Sequence, residues 1–147
     1  MNLSNFAESL SELIMHANLT PTELAKQIGC GKGTVSRYLN EQKIPAVDML
    51  IRMADFFDCS TDYLLGRETE KYVRVFIKPC PSFQERLPAL CKDLKITKYQ
   101  LQKKTGIAES AIYDWQKGAR TPRLENIVKI AEAFECSVDF VLGRSKL

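Results

Sequence analysis

At 147 residues and 45% hydrophobic, the chain has the composition of a soluble globular protein and room for one domain or two small ones. No apolar run approaches the roughly 18 residues of a spanning helix, and the terminus MNLSNFAESL lacks a signal peptide's basic and apolar regions, which predicts a cytoplasmic protein. The net charge of +3 hides a split: residues 1–70 are acidic at −4 (6 Lys/Arg, 10 Asp/Glu) and residues 71–147 basic at +7 (15 against 8).

A basic half fits an electrostatic partner such as nucleic acid and equally a solvated surface. The five cysteines, Cys30, Cys59, Cys80, Cys91 and Cys136, form no CxxC and cannot all pair within one chain. They are expected to be buried reduced thiols, with Cys80 the one suited to a disulfide between chains. With one histidine, His16, and no paired ligand spacing, neither a metal nor another cofactor is expected.

In chain order, Phe6, Leu10, Leu13 and Ile14 mark the apolar stripe of an amphipathic helix ending near Asn18. Thr20-Pro21-Thr22-Glu23 then predicts a capping box with proline in the first turn. Leu24, Ala25 and Ile28 face inward, and Gly29 stops this helix at positive φ. A third helix spans about Lys32 to Leu39, with Val35, Tyr38 and Leu39 toward the core and Lys32, Gly33, Ser36 and Arg37 outward. After Pro45 a fourth helix turns Leu50, Ile51, Ala54 and Phe57 inward. Ser60-Thr61-Asp62 caps a short fifth, closed by Gly66.

The connector ETEKYVRVFIKPCPS (68–82) holds one strand-like run, 72–77, ended by Pro79 and Pro81. A single strand needs a partner. Two readings stay open: this run packs on its own helices, or it pairs with its twin in a homodimer.

The stretch Thr20–Pro45 then recurs at Thr97–Pro122, at an offset of 77 residues that holds without a gap from Phe6/Phe83 to Arg67/Arg144. Phe83, Leu87 and Leu90 repeat the first stripe, but Pro88 predicts a helix that starts late or kinks. Thr97–Gln100 is a second capping box, Gly106 a second turn, and Ile112 and Trp115 core residues. Trp115 also admits a DNA-facing role. Ile127, Val128, Ala131 and Phe134 repeat the fourth helix, and Ser137–Gly143 the fifth. The fold class is therefore all-α: two five-helix domains, 1–67 and 83–147, joined by the 68–82 connector.

Thr20, Glu23-Leu24-Ala25, Gly29, Val35-Ser36-Arg37, Pro45 and Asp62-Tyr63-Leu64-Leu65-Gly66-Arg67 resemble the lambda-repressor/Cro (xenobiotic-response-element) helix-turn-helix family, and nearly all of both copies is covered. The resemblance implies a sequence-specific, repressor-like regulator without catalysis, bound to double-stranded DNA and not to membrane. The third helix of one or both modules reads the major groove. By position, Lys32, Gly33, Thr34, Ser36 and Arg37 form the first reading face, with Arg37 able to grip guanine bidentately and Lys43 to meet phosphate. The second face is Glu109, Ser110, Tyr113 and Asp114, with Lys98, Lys117 and Arg120 among the cations around it. The family usually has glutamine at Pro21, a hydroxyl cap at Gly31 and a small alanine at Gln102, where a bulkier residue alters the helix crossing. The alternative makes one module a protein-interaction or dimerisation domain, as in an antitoxin or adaptor.

Overall fold

The structure, a computed structural model, describes residues 3–69 and 75–146. Among them are ten α-helices and no strand, divided between two compact units, Met1–Arg74 and Val75–Leu147. The first unit carries α1 (Leu3–His16), α2 (Pro21–Ile28), α3 (Lys32–Leu39), α4 (Val47–Phe57) and α5 (Thr61–Leu64). The second carries α6 (Phe83–Leu94), α7 (Lys98–Thr105), α8 (Glu109–Lys117), α9 (Leu124–Ala133) and α10 (Val138–Leu142).

Local signals set the helix ends. Thr20 Oγ1 accepts from the Glu23 N–H at 3.1 Å while Glu23 Oε1 accepts from the Thr20 N–H at 3.1 Å, satisfying two amides that α2 itself leaves unpaired. Thr97 and Gln100 repeat the box at the start of α7. Positive φ occurs at Asn18, Gly29, Glu41, Asp58 and Gly66 in the first unit, and at Lys95, Gly106, Gly118, Glu135 and Gly143 in the second. All five pairs obey the 77-residue offset, so the backbone repeats turn for turn where the sequence does not. Glycine marks both members of only two pairs.

The first core forms where α1 buries Phe6, Leu10, Leu13 and Ile14 and packs on α3 and α5. From α4, Leu50, Met53, Ala54 and Phe57 are buried. Met53 takes the inward place expected of Ile51, which is half-buried. Arg52 donates to the Ile28 carbonyl at 3.3 Å and so holds the end of α2.

In the second unit α6 does not start late. Ser82 caps it at Phe83, its Oγ accepting from the Glu85 N–H at 3.3 Å, and the helix continues through Pro88. Pro88 and Gln84, whose carbonyl loses its i+4 donor there, are both on the exposed side of the helix rather than in the core. Arg86 is buried. It donates to the carbonyls of Phe140 (2.6 Å) and Val141 (3.3 Å) at the end of α10, pairs with Asp93 at 3.1 Å, and lies over the Phe140 ring.

The part of the 72–77 run at 72–74 lies outside the described residues, and 75–77 form no strand. Phe76 is buried, with its ring centroid 4.1 Å from the Arg144 guanidinium carbon. The Ile77 N–H donates to the Arg144 carbonyl at 2.8 Å, and the Cys80 thiol to the Leu142 carbonyl at 3.4 Å. Arg144 in turn pairs with Asp139 at 2.8 Å, both side chains fully buried; the matching Arg67–Asp62 pair (3.0 Å) leaves Arg67 27% exposed. Among the described residues none of the five cysteines forms a disulfide. Cys59 and Cys91 are buried, but Cys30, Cys80 and Cys136 are only half-buried.

Candidate nucleic-acid interface

Each unit presents a helix pair joined by a tight turn, and the second helix of each pair is anchored from one side. Val35 and Tyr38 are buried beneath α3, and Tyr38 meets Phe6 edge-on at 5.7 Å. Burial pushes the Tyr38 phenol up to about 12. In the second unit Ile112 and Trp115 are buried beneath α8, and Trp115 meets Phe83 edge-on at 5.6 Å. Trp115 is thus the core partner that Tyr38 is, and its ring does not face solvent.

The opposite face of α3 is open. Lys32, Gly33, Ser36 and Arg37 are exposed, Thr34 is half-buried, and Lys43 stands exposed in the following loop. Neither Gly31 nor Ala108, the residues that precede α3 and α8, supplies a side-chain cap; the third amide of each helix donates to their carbonyls instead, which leaves the first two for an outside acceptor. Gly33 has no positive φ, and a Cβ there would stand 3.8 Å from the Arg37 guanidinium, an ordinary contact. The glycine is therefore not demanded by the unit's own packing.

On α8, Glu109, Ser110, Tyr113 and Lys117 are exposed and Asp114 is half-buried. Asp114 is held by Arg120 at 3.5 Å. The Lys117 ammonium sits 5.0 Å from the Tyr113 ring centroid, and Lys103 sits 5.5 Å from that of Tyr99, distances at which a cation is attracted to a ring face. Lys98, at the start of α7, is half-buried.

The two pairs differ at their crossing. Ala25 is buried and α2 packs closely along α3. Gln102 holds the equivalent place in α7, where the helices touch less and leave a groove lined by Lys98, Tyr99, Gln102, Glu109, Ile112, Tyr113 and Gln116. The sequence flags Gln102 as a departure but does not single out Tyr99 or Gln116. Their signal is comparative: they replace Thr22 and the half-buried Leu39 of the first copy.

Among the described residues no helix is long and apolar enough to cross a membrane, and no cluster of His, Cys, Asp or Glu is arranged to hold a metal. Residues 10–64 match a helix-turn-helix family, and residues 86–143 match the Cro/C1-type helix-turn-helix DNA-binding domain. The chain is 32% identical over 81 residues to the HTH-type transcriptional regulator YobD of Bacillus subtilis (strain 168), covering 55% of this chain and 72% of that one. It is 30% identical over 64 residues to the B. subtilis regulator ImmR (44% and 50%) and 36% identical over 58 residues to repressor protein C2 of Salmonella phage P22 (40% and 27%). No solved structure matches it. Two such domains on two repeated five-helix units make the chain a tandem member of the lambda-repressor/Cro (Cro/C1-type) helix-turn-helix family of sequence-specific, DNA-binding transcriptional regulators.

Proposed function

We propose that α3 and α8 are both reading helices, each laid in the major groove of one operator, and that the chain represses transcription from the cytoplasm without a catalytic step. The observation that carries this reading is the two-sidedness of α3: Val35 and Tyr38 are buried, while Lys32, Gly33, Ser36 and Arg37 form a continuous exposed face. A helix of that form fits the major groove. Lys32 and Arg37 supply donors only, which suits guanine. Thr34 and Ser36 supply hydroxyls, and Lys43 meets phosphate. In the second unit Glu109, Ser110, Tyr113 and Asp114 face the bases, and Lys98, Lys117 and Arg120 face the backbone, where contacts position the protein without reading sequence. Domains 1–67 and 83–147 are the two readers, and 68–82 connects them.

The test is selection of bound sites from random duplex DNA by the full chain. Two unlike half-sites support one chain using both units. A palindrome supports two chains instead, paired through 72–77, for which the exposed side chains of Val75 and Ile77 (98% and 42%) offer an apolar contact. No enriched sequence defeats the proposal. In a follow-up, Arg37→Ala removes the base preference of the first half-site and leaves that of the second, while Lys117→Ala with Arg120→Ala lowers the slope of log affinity against log salt by about one unit per lost phosphate contact. If α3 alone reads, Arg37→Ala instead abolishes all sequence preference and the double variant leaves the slope unchanged.

A further inference from the structure

We infer that the second unit reads the opposite base chemistry from the first: a base that offers an exocyclic amine under Glu109, beside a thymine methyl under Tyr113. The inference rests on the proposed DNA-reading role of α8 and goes on to say what that helix selects.

Three observations carry it. First, Glu109 is exposed on the groove between α7 and α8 and makes no ion pair among the described residues, whereas Asp114 is engaged by Arg120 at 3.5 Å. An unengaged carboxylate only accepts hydrogen bonds. In the major groove the donors are the amines of cytosine and adenine, while guanine N7 and O6 and thymine O4 repel it. Second, Tyr113 lies on the same groove and is 56% exposed, a large apolar surface of the kind that contacts the thymine methyl. Third, Lys117 over Tyr113 and Lys103 over Tyr99 put cations on the two tyrosines that line the same groove as Glu109. Their attraction to the phosphates offsets the repulsion that Glu109 alone would meet. The equivalent positions in the first unit are Lys32 for Glu109, Ser36 for Tyr113 and Arg37 for Asp114. Each acid on α8 is thus a cation on α3.

The consequence is an operator whose two half-sites cannot be exchanged. One presents guanine to Lys32 and Arg37, and the other presents cytosine or adenine to Glu109 with thymine alongside.

The experiment is selection from random duplex DNA with the full-length wild type, Glu109→Lys, Glu109→Gln and Tyr113→Ala, each checked by thermal melting. The wild type is expected to disfavour guanine at the Glu109 position by roughly 5- to 100-fold. Glu109→Lys should move that preference to guanine and leave the first half-site intact. Glu109→Gln, which keeps size and shape, should favour adenine and lose cytosine. Tyr113→Ala should weaken the neighbouring thymine preference several-fold. If Glu109→Lys tightens binding to all sequences alike, or the wild type already selects guanine there, the inference is overturned while the DNA-reading role stands. If the wild type enriches nothing, both fall.

Discussion

In the first unit Ala25 is buried where α2 crosses α3, whereas in the second Gln102 holds that place and a groove stays open between α7 and α8. Yet both helix pairs begin in a capping box, turn at a positive-φ glycine and rest on an edge-on aromatic pair at equivalent positions. Caps, turns and anchoring rings suffice to repeat the motif. The crossing and the exposed faces are then free to differ, and there the charge reverses sign.

The largest test of that comparison is at the C-terminal ion pairs. Arg144 and Asp139 are fully buried and roofed by Phe76, while Arg67 is partly open to solvent. Arg144→Ala strands a buried carboxylate and should cost about 3–5 kcal/mol. Arg67→Ala should cost on the order of 2 kcal/mol. Denaturant unfolding of the full chain reads both, and equal losses would mean that the Phe76 roof adds nothing. Next is the crossing itself. Ala25→Gln forces a long side chain into a closed contact and should destabilise the first unit by about 1–3 kcal/mol, while Gln102→Ala should be nearly neutral because its site is already open. A large loss from the second change would show that the groove is held up by Gln102.

A smaller effect lies in the loops after α3 and α8, where Glu41 (φ 60) matches Gly118 (φ 74). Glu41→Gly should stabilise by about 1 kcal/mol by relieving a left-handed conformation that a side chain resists. Gly118→Glu should destabilise by a similar amount through the same left-handed backbone, since the Gln84 amide that its Cβ would meet ends an exposed side chain able to swing away. The last effect is alkaline and vanishes at neutral pH. Tyr38 is pushed up to about 12 by burial, above the ordinary value near 10. The unfolded chain therefore releases this proton first, and the stability Tyr38 contributes, complete below pH ~10, fades as pH rises toward ~12. Melts across that window should show a decline that shrinks in Tyr38→Phe. Trp115 gives the second unit no such group.

What was legible in the sequence was mostly local. Thr20, Glu23, Thr97 and Gln100 specify their own hydrogen bonds within four residues, and Gly29 and Gly106 announce their turns by type. Glu41, Asp58, Lys95 and Glu135 adopt the same left-handed geometry without the residue that advertises it. Nonlocal partners were hidden for a like reason. Nothing in the sequence around Arg86 points to the two carbonyls that α10 brings to it, and Phe76 reads as strand until Arg144 lies beneath it. The proposed reading faces follow from position alone, and most of those residues are solvent-exposed. The groove at Tyr99 and Gln116 emerges only when the two copies are laid against each other.

The missing caps before α3 and α8 have a calorimetric consequence. With Gly31 ahead of it and Gly33 inside it, α3 keeps its shape chiefly through Val35 and Tyr38, and an interior glycine weakens a helix by about 1 kcal/mol relative to alanine. An operator phosphate that accepts the first-turn amides would tighten α3 as it binds. Association would then release heat while losing entropy, with a heat-capacity drop larger than rigid docking produces. In the second unit α8 has Ala108 and Ser110 at the matching positions, so its share of that signature should be the smaller.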